Sequence, residues 1–399
     1  LALLPKVAAS QPQRIGALAG NLVDVESMFA LKQLMQQLGS PHLDCRQDGA
    51  RIDASDRASY IMNTGIAELE QADVVLLIGT DPRREAPLVN SRLRKAYLQG
   101  GAQIFNLGPE VDLTYPVTQL GNEPTQLNKL IGGEHEVAKR LSEAQRPVVM
   151  IGAAALARDD ASSLLNAVKT LCDQCNIIRD DWNGYNMLHY AAARVGGLDV
   201  GFVPQPGGQG IAGMIGAIEN NEMDMLYLLS VDEIDMHYFG DAFVVYQGHH
   251  GDIGAHRADV ILPGAAYTEK NAIYVNTEGR PQEAFRAVFP PGEAKEDWKI
   301  LRALSERLGC TLPYDSQEEL RKTLYDAVPH LAAHGRAAPA SWQPVAKPSK
   351  TYRIRKDGFE QVILNYYMTD PISRASKTMA ECTRIIGEKA QPHGVQEAA

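Results

Sequence analysis

The stretch Ala72-Asp73-Val74-Val75-Leu76-Leu77-Ile78-Gly79-Thr80-Asp81-Pro82 decides the fold class. From Val74 to Ile78 five aliphatic residues follow one another without a polar interruption. A strand with one wet face alternates apolar and polar residues. One without alternation is covered on both faces, as in parallel sheets clad by helices. Gly79 and Pro82 close the run, and the amphipathic stretch Pro87–Leu98 predicts the helix that packs back on it. The same cadence repeats outward. Strands are predicted at Arg14–Ala19, Ala72–Ile78, Gln103–Leu107, Pro147–Ile151, Met223–Leu229, Phe243–Tyr246 and Asp259–Leu262. Helices are predicted at Asp24–Leu38, Pro87–Leu98, Glu134–Glu143, Asp160–Cys175, Gly210–Asn220, Glu296–Leu308, Gln317–Ala327 and Ser373–Glu388. In the first helix Val25, Met28, Phe29, Leu31, Leu34, Met35 and Leu38 form an apolar stripe, Asp24 can cap, and Gly39 with Pro41 ends it. Strand–helix alternation means right-handed βαβ units and a doubly wound α/β fold.

Most of these strands end in Gly or a small polar residue: Gly20-Asn21, Gly79-Thr80-Asp81-Pro82, Gly108-Pro109, Gly152, Ser230 and Gly248. In open α/β sheets such loops form the crevice where ligands bind, though Gly also simply makes tight turns. The length of 399 residues implies two or three domains. Hydrophobic residues at 45 % and charged residues at 22 % exclude a disordered or fibrous chain. With 39 basic and 49 acidic residues the net charge is −10, which argues against nucleic acid or an anionic lipid surface as main partner. No apolar run approaches the ~20 residues that span a bilayer; those near Val74 and Val148 are broken by Gly. Five scattered cysteines (Cys45, Cys172, Cys175, Cys310, Cys382) suit a reducing compartment rather than a disulfide framework. No signal peptide is expected. The start at Leu1-Ala2-Leu3-Leu4 without Met implies a fragment whose natural N-terminus lies elsewhere. Residues 329–350, rich in Pro, Ala, His and Lys, read as a connector; the polar end reads as a frayed tail.

Three short motifs each admit a plainer reading. Gly208-Gln209-Gly210-Ile211-Ala212-Gly213 matches G-x-G-x-x-G, but Val203-Pro204-Gln205-Pro206-Gly207 before it cannot be the strand a dinucleotide site requires. Cys172-Asp173-Gln174-Cys175 falls at a helix C-terminus with no second pair, which favours buried or incidental thiols over redox or metal chemistry. His249, His250, Asp252 and His256 could ligate zinc, yet adjacent histidines are expected to diverge and to bond backbone groups in a tight loop. No P-loop, nucleophile elbow or H-E-x-x-H occurs.

Longer runs carry a resemblance. Ala72–Leu88 resembles the strand–loop–helix signature of the molybdopterin oxidoreductase superfamily. Ala258-Asp259-Val260-Ile261-Leu262-Pro263 through Glu269-Lys270 to Asn276-Thr277-Glu278-Gly279-Arg280 resembles a second signature of the same superfamily. Together with Gln247–Asp252, Glu296–Ile300 and Tyr367–Ser376, these look like the G subunits of bacterial NADH:quinone oxidoreductases, equivalent to the mitochondrial 75-kDa-type subunit. The resemblance implies interleaved doubly wound parallel-sheet lobes: one from 1–40 and 146–312, an inserted one from 41–145, and a short C-terminal extension, 313–399, as docking tail. Within that tail the aromatic and basic strip Tyr352–Arg374 is the candidate interface, or equally an ordinary tail packed on its own domain.

The superfamily's loops present backbone N–H groups to the phosphates of a pterin dinucleotide, so Gly79, Thr80, Asp81 and Pro82 would be a vestigial pterin loop. Relatives commonly show Asp-Pro-Arg after the next strand, where this chain has Gly108-Pro109-Glu110. Where they present a metal ligand it reads Cys45-Arg46-Gln47-Asp48. The residues after Leu312 are too few and too helical for the β-barrel that closes over the cofactor. The implied function is a cofactor-free, non-catalytic scaffold, with no catalytic and no metal residue of its own. It would support electron transfer from NADH to quinone. The 2Fe-2S and 4Fe-4S clusters are expected in a preceding N-terminal part. Expected partners are that iron–sulfur domain and the other peripheral-arm subunits, with no nucleic acid and no direct membrane span. The expected place is the inner membrane periphery, cytoplasmic in bacteria or matrix-facing in mitochondria. Two alternatives are an active molybdopterin-dependent oxidoreductase resembling formate dehydrogenase, and a zinc protein using His249, His250 and His256.

Overall fold

The computed structural model describes the backbone of residues 11–133 and 135–390. Leu1–Leu4, the expected helix start at Glu134 and the end of the polar tail lie outside the described residues. In chain order the strands are β1 (Ile15–Ala19), β2 (His42–Asp44), β3 (Val74–Ile78), β4 (Gln103–Leu107), β5 (Thr118–Gln119), β6 (Pro147–Ile151) and β7 (Ile178–Arg179). There follow β8 (Trp182–Asn183), β9 (Tyr185–Met187), β10 (Met225–Leu229), β11 (Phe243–Gly248), β12 (Val260–Pro263), β13 (Ala272–Val275) and β14 (Pro281–Ala284).

The deciding run is β3, buried along its whole length. It lies between β4 and β6, parallel to both, with Val74 beside Gln103 and Pro147. Both faces are covered, and that is why it carries no polar residue. Two five-stranded parallel sheets result, in the orders β12-β11-β10-β1-β2 and β5-β4-β3-β6-β9. Helices wrap them. The helix Val25–Leu38 starts where the Asp24 side chain accepts from Ser27 N at 2.8 Å, and ends at Gly39 with φ of +79°. It packs on the helix Asp297–Arg307.

The lobes divide differently from the expectation. A return to the first lobe at 146 is not what the chain makes: β6 and β9 both belong to the second sheet. Asp73, just ahead of β3, explains part of this. Its carboxylate accepts from Gln145 N at 2.7 Å and Arg146 N at 2.9 Å, while its own N–H donates to Arg146 O. One acidic residue thus ties the start of β6 to the start of β3. β2, which begins just after the Pro41 break, joins the first sheet beside β1. The chain therefore lays down β1 and β2, builds the whole second sheet, and returns with β10, β11 and β12.

The Asn276–Arg280 run, which motivated the enzyme alternative, is the turn of the antiparallel hairpin β13–β14. Asn276 Oδ1 accepts from Glu278 N and Arg280 N, and Gly279 sits at φ +74°. Lys270 anchors this region from within: buried, it bonds Asp24 and Asp297, each at 2.6 Å. Beyond Leu312 the chain forms the helix Gln317–Ala327, capped reciprocally by Ser316 and Glu319. An irregular strap then crosses both sheets and closes with the helices Pro371–Arg374 and Lys377–Ala390.

Candidate functional site

The C-terminal ends of β3, β4 and β6 converge. Gly79 N donates to Leu107 O at 2.9 Å, and Ala154 N donates to Gly79 O at 3.1 Å. Gly79 is at φ +53°, and a Cβ there would lie 2.8 Å from both Ala155 N and the Phe359 ring. A Cβ at Gly152 would strike Thr80 and the Glu85 carboxylate. The loop Gly79–Pro82, expected as a pterin loop, is therefore a tight knot in which Thr80, Glu85 and Phe359 take the space that Gly leaves.

Glu85 also takes the donors. Its carboxylate accepts from Asp81 N at 2.7 Å and from Ala153 N, the first residue of the helix Ala153–Leu156, at 2.9 Å. Burial pushes its pKa up to about 7 against the pull of these N–H groups and of the Thr80 hydroxyl. Asp81 is likewise raised by burial, with Arg84 pulling the other way. From outside, the strap seals the loop: Gln361 bonds Asp81, and Arg84 bonds Ile363 O at 3.1 Å. The remaining cavity holds about 20 Å³, room for one water. Glu110 is exposed and does not line this cavity.

The corresponding ends of the first sheet face a wider cleft of about 480 Å³. Among the described residues five carboxylates line it, Asp48, Asp232, Glu233, Asp235 and Asp252, against a single lining cation, Arg374 of the strap. Arg374 bonds Asp252 at 2.7 Å and Glu233 at 3.2 Å. Asp48 is answered by buried Arg194 at 2.7 Å and Tyr190 at 2.8 Å. Burial alone would raise Asp48; the Arg194 charge and these bonds hold it below the usual carboxylate range. Cys45 is buried against Gly197, and burial pushes its thiol up to about 12, far from thiolate character.

The other candidates fall elsewhere. Gly210 precedes the helix Ile211–Glu219, whose first N–H donates to Asp44 at 3.2 Å, so a carboxylate already stands at that terminus. Cys172 and Cys175 are buried free thiols pushed up by burial, Cys175 to about 11. His249 and His250 do not diverge as expected: their Nδ1 atoms lie 2.6 Å apart, edge to face, because the chain turns sharply after β11. Burial, His250 and Lys270 push His249 down to about 4. Within the strip Tyr352–Arg374, Tyr352 bonds Asn128 and Thr170, Phe359 is buried, and Arg374 closes the cleft; Leu364 and Tyr366 face outward. Half of the strip is internal packing. The sequence reading missed Glu85 and Glu233 and held Phe359 only as part of the C-terminal strip, although Glu85 stands four residues after Asp81 in the run that carried the resemblance.

Known proteins share this architecture and much of the sequence. Residues 4–307 match the model of the family described as molybdopterin oxidoreductase, and residues 336–382 that of the C-terminal region of the NADH-ubiquinone oxidoreductase G subunit. The chain is 41 % identical over 94 % of its length to the mitochondrial NADH dehydrogenase (ubiquinone) iron-sulfur protein 1 of Solanum tuberosum, covering 50 % of that protein. It is 39 % identical over 96 % of its length to the NADH-quinone oxidoreductase G subunit of Rickettsia bellii, covering 54 %. It thus spans about half the length of the relatives it matches. Among solved structures, a chain of the formyltransferase/hydrolase complex of Methylorubrum extorquens superposes with a TM-score of 0.57 at 16 % identity, over 77 % of this chain and 94 % of that one. That likeness is one of fold. The interleaved parallel sheets and the match over residues 4–307 agree: the chain belongs to the molybdopterin oxidoreductase family.

Proposed function

We propose that this chain is the scaffold half of a G-type subunit in an NADH:quinone oxidoreductase, supporting electron transfer from NADH to quinone without holding a molybdopterin itself. The observation that carries the reading is the identity of about two residues in five, along nearly the whole chain, with proteins named as that subunit. The residues at both sheet ends do not fit an anionic dinucleotide. At the second sheet Glu85 consumes the N–H groups a phosphate would need, and Phe359 fills the approach to Gly79. At the first sheet a diphosphate would meet carboxylates that outnumber the lining cation five to one. These features favour the scaffold over the formate dehydrogenase-like alternative.

In this reading the 2Fe-2S and 4Fe-4S clusters sit outside residues 1–399, and the chain holds their domain against the other peripheral-arm subunits. Phe285 and Phe289, about three-quarters exposed, are large apolar surface of the kind that assemblies bury. Among the described residues no helix is long and apolar enough to cross a membrane. The proposed place is the inner-membrane periphery, on the cytoplasmic or matrix face.

The test isolates the chain from cells supplied with molybdate. Native gels should show it migrating with NADH:quinone reductase activity, and acid-oxidised extracts should lack pterin fluorescence. Migration apart from that activity in every membrane extract overturns the subunit reading. One molybdenum per chain overturns the cofactor-free one.

A further inference from the structure

The first half of the strap carries a charge opposite to that of the body it crosses. From Arg336 to Asp357 stand six cations, Arg336, Lys347, Lys350, Arg353, Arg355 and Lys356, against the single carboxylate of Asp357. This segment counts +5 in a chain of −10, which leaves −15 on the rest. Its aromatic residues turn inward and fix its course. The Trp342 indole donates to Asp173 at 2.8 Å and packs on Tyr185, and Tyr352 is held by Asn128 and Thr170. The cations turn outward: Tyr352 and Ile354 are partly covered, whereas Arg353, Arg355 and Lys356 are exposed, as are Arg336, Lys347 and Lys350. Among the described residues only Arg355 of the six forms ion pairs, with Asp159 at 3.2 Å and Asp357 at 2.7 Å. The solvated face of an acidic chain ordinarily mixes both signs. Here like charges are held side by side against their own repulsion.

A second observation is independent of charge. The segment lies inside residues 336–382, which match the C-terminal region of the G subunit, and outside residues 4–307, which match molybdopterin oxidoreductases. The cations thus stand where the chain is described by the family of an assembly's subunit and not by that of the fold.

Resting on the reading of the chain as such a subunit, we propose that the strap from Lys347 to Lys356 docks an acidic face of a neighbouring protein in the oxidoreductase. An extended segment of this length spans at most about 35 Å, the size of a protein patch. At physiological ionic strength charges are felt over about 8 Å, so a partner senses only what it touches. A lipid surface or a nucleic acid extends past the segment on every side. It would meet Asp159 and Asp357, both about two-thirds exposed at the border, and the acidic body behind them. A protein face of matched size meets the cations and ends. Pairs of this kind select and orient the partner more than they tighten it.

Carbodiimide coupling in intact membranes, which joins a lysine amine to a touching carboxylate, tests the proposal. Lys347, Lys350 or Lys356 should be found by mass spectrometry joined to an Asp or Glu of another polypeptide of the assembly. A full-length subunit combining Lys350→Glu, Arg353→Glu and Lys356→Glu should keep its urea midpoint, since none of the three forms an internal ion pair. Coexpressed with the unaltered subunit, its share of the assembled enzyme should fall about tenfold below its share of the total. Cross-links confined to the chain itself, or equal incorporation of the folded variant, overturn the proposal. If the variant fails to fold, the cross-links decide alone. Sedimentation of the chain with phosphatidylserine-rich vesicles at about 0.15 M salt, abolished by the charge reversal, overturns it in favour of a membrane. The same native gels separate the two readings. Unaltered chain that migrates apart from NADH:quinone reductase activity refutes the subunit assignment, whereas comigration with equal incorporation refutes the docking surface only.

Discussion

Glu85 illustrates how one largely enclosed carboxyl group can occupy a site and report on it. Its pKa of about 7 against an ordinary 4.5 means that the unfolded chain loses this proton first. Stability from this group is therefore fully present below pH 4.5 and falls as pH climbs through 7, by about 3 kcal/mol in all. Glu85→Gln, neutral throughout, should remove that slope: urea midpoints of variant and wild type converge in acid and separate in the variant's favour above neutrality. Lys270 is the converse case. Burial alone would lower its pKa, but Asp24 and Asp297 more than offset it. Lys270→Met strands two buried carboxylates and should cost about 3–5 kcal/mol in urea unfolding. Adding Asp24→Asn and Asp297→Asn to that variant should restore most of it, since Asn keeps both the cap to Ser27 and the acceptor for Gln247.

Among elements, the strap is the one whose role the residue pattern alone leaves open, between an interface and packing on its own domain. Tyr, Phe and Arg in Tyr352–Arg374 are the residue types of interface cores, and the same types serve intramolecular docking. Here Phe359 closes on Gly79 while Asn122 bonds the Phe359 backbone in both directions. Gly79→Ala would need a left-handed backbone and a 2.8 Å contact, and should cost more than about 2 kcal/mol in chemical unfolding. Phe359→Ala should leave β3 protected in hydrogen exchange while the strap around residue 359 loses protection; equal loss in β3 would mean that the strap supports the sheet itself. Strand and helix positions were readable because apolar runs and caps are local signals: β4 and β6 begin and end where the runs do. The short β2 and β9 were not readable. Three residues give no period to detect, and their register comes from the neighbours they join.

At the scale of the whole molecule, the strap fastens one sheet's crevice with Phe359 and the other's with Arg374. Arg374→Ala should lower stability by about 1–3 kcal/mol and free amides near residue 370 in hydrogen exchange, while protection at 359 persists. The class of fold was set locally, because a strand buried on both faces reads as a near-continuous apolar run and Val74–Ile78 is unbroken. Caps at Asp24 and Gly39 were equally local. Which sheet a strand joins was not: Pro147–Ile151 reads alike for either, and Asp73, more than seventy residues earlier, holds it beside β3. The filling of the loop after β3 and the acidity of the wider cleft also belong to the tertiary structure alone. Gln361 reaches Asp81 across 280 residues, and Gln47 reaches Glu233 across 186. Contacts at such separations leave no periodicity in a chain, because they are selected by the shape that brings the loops together.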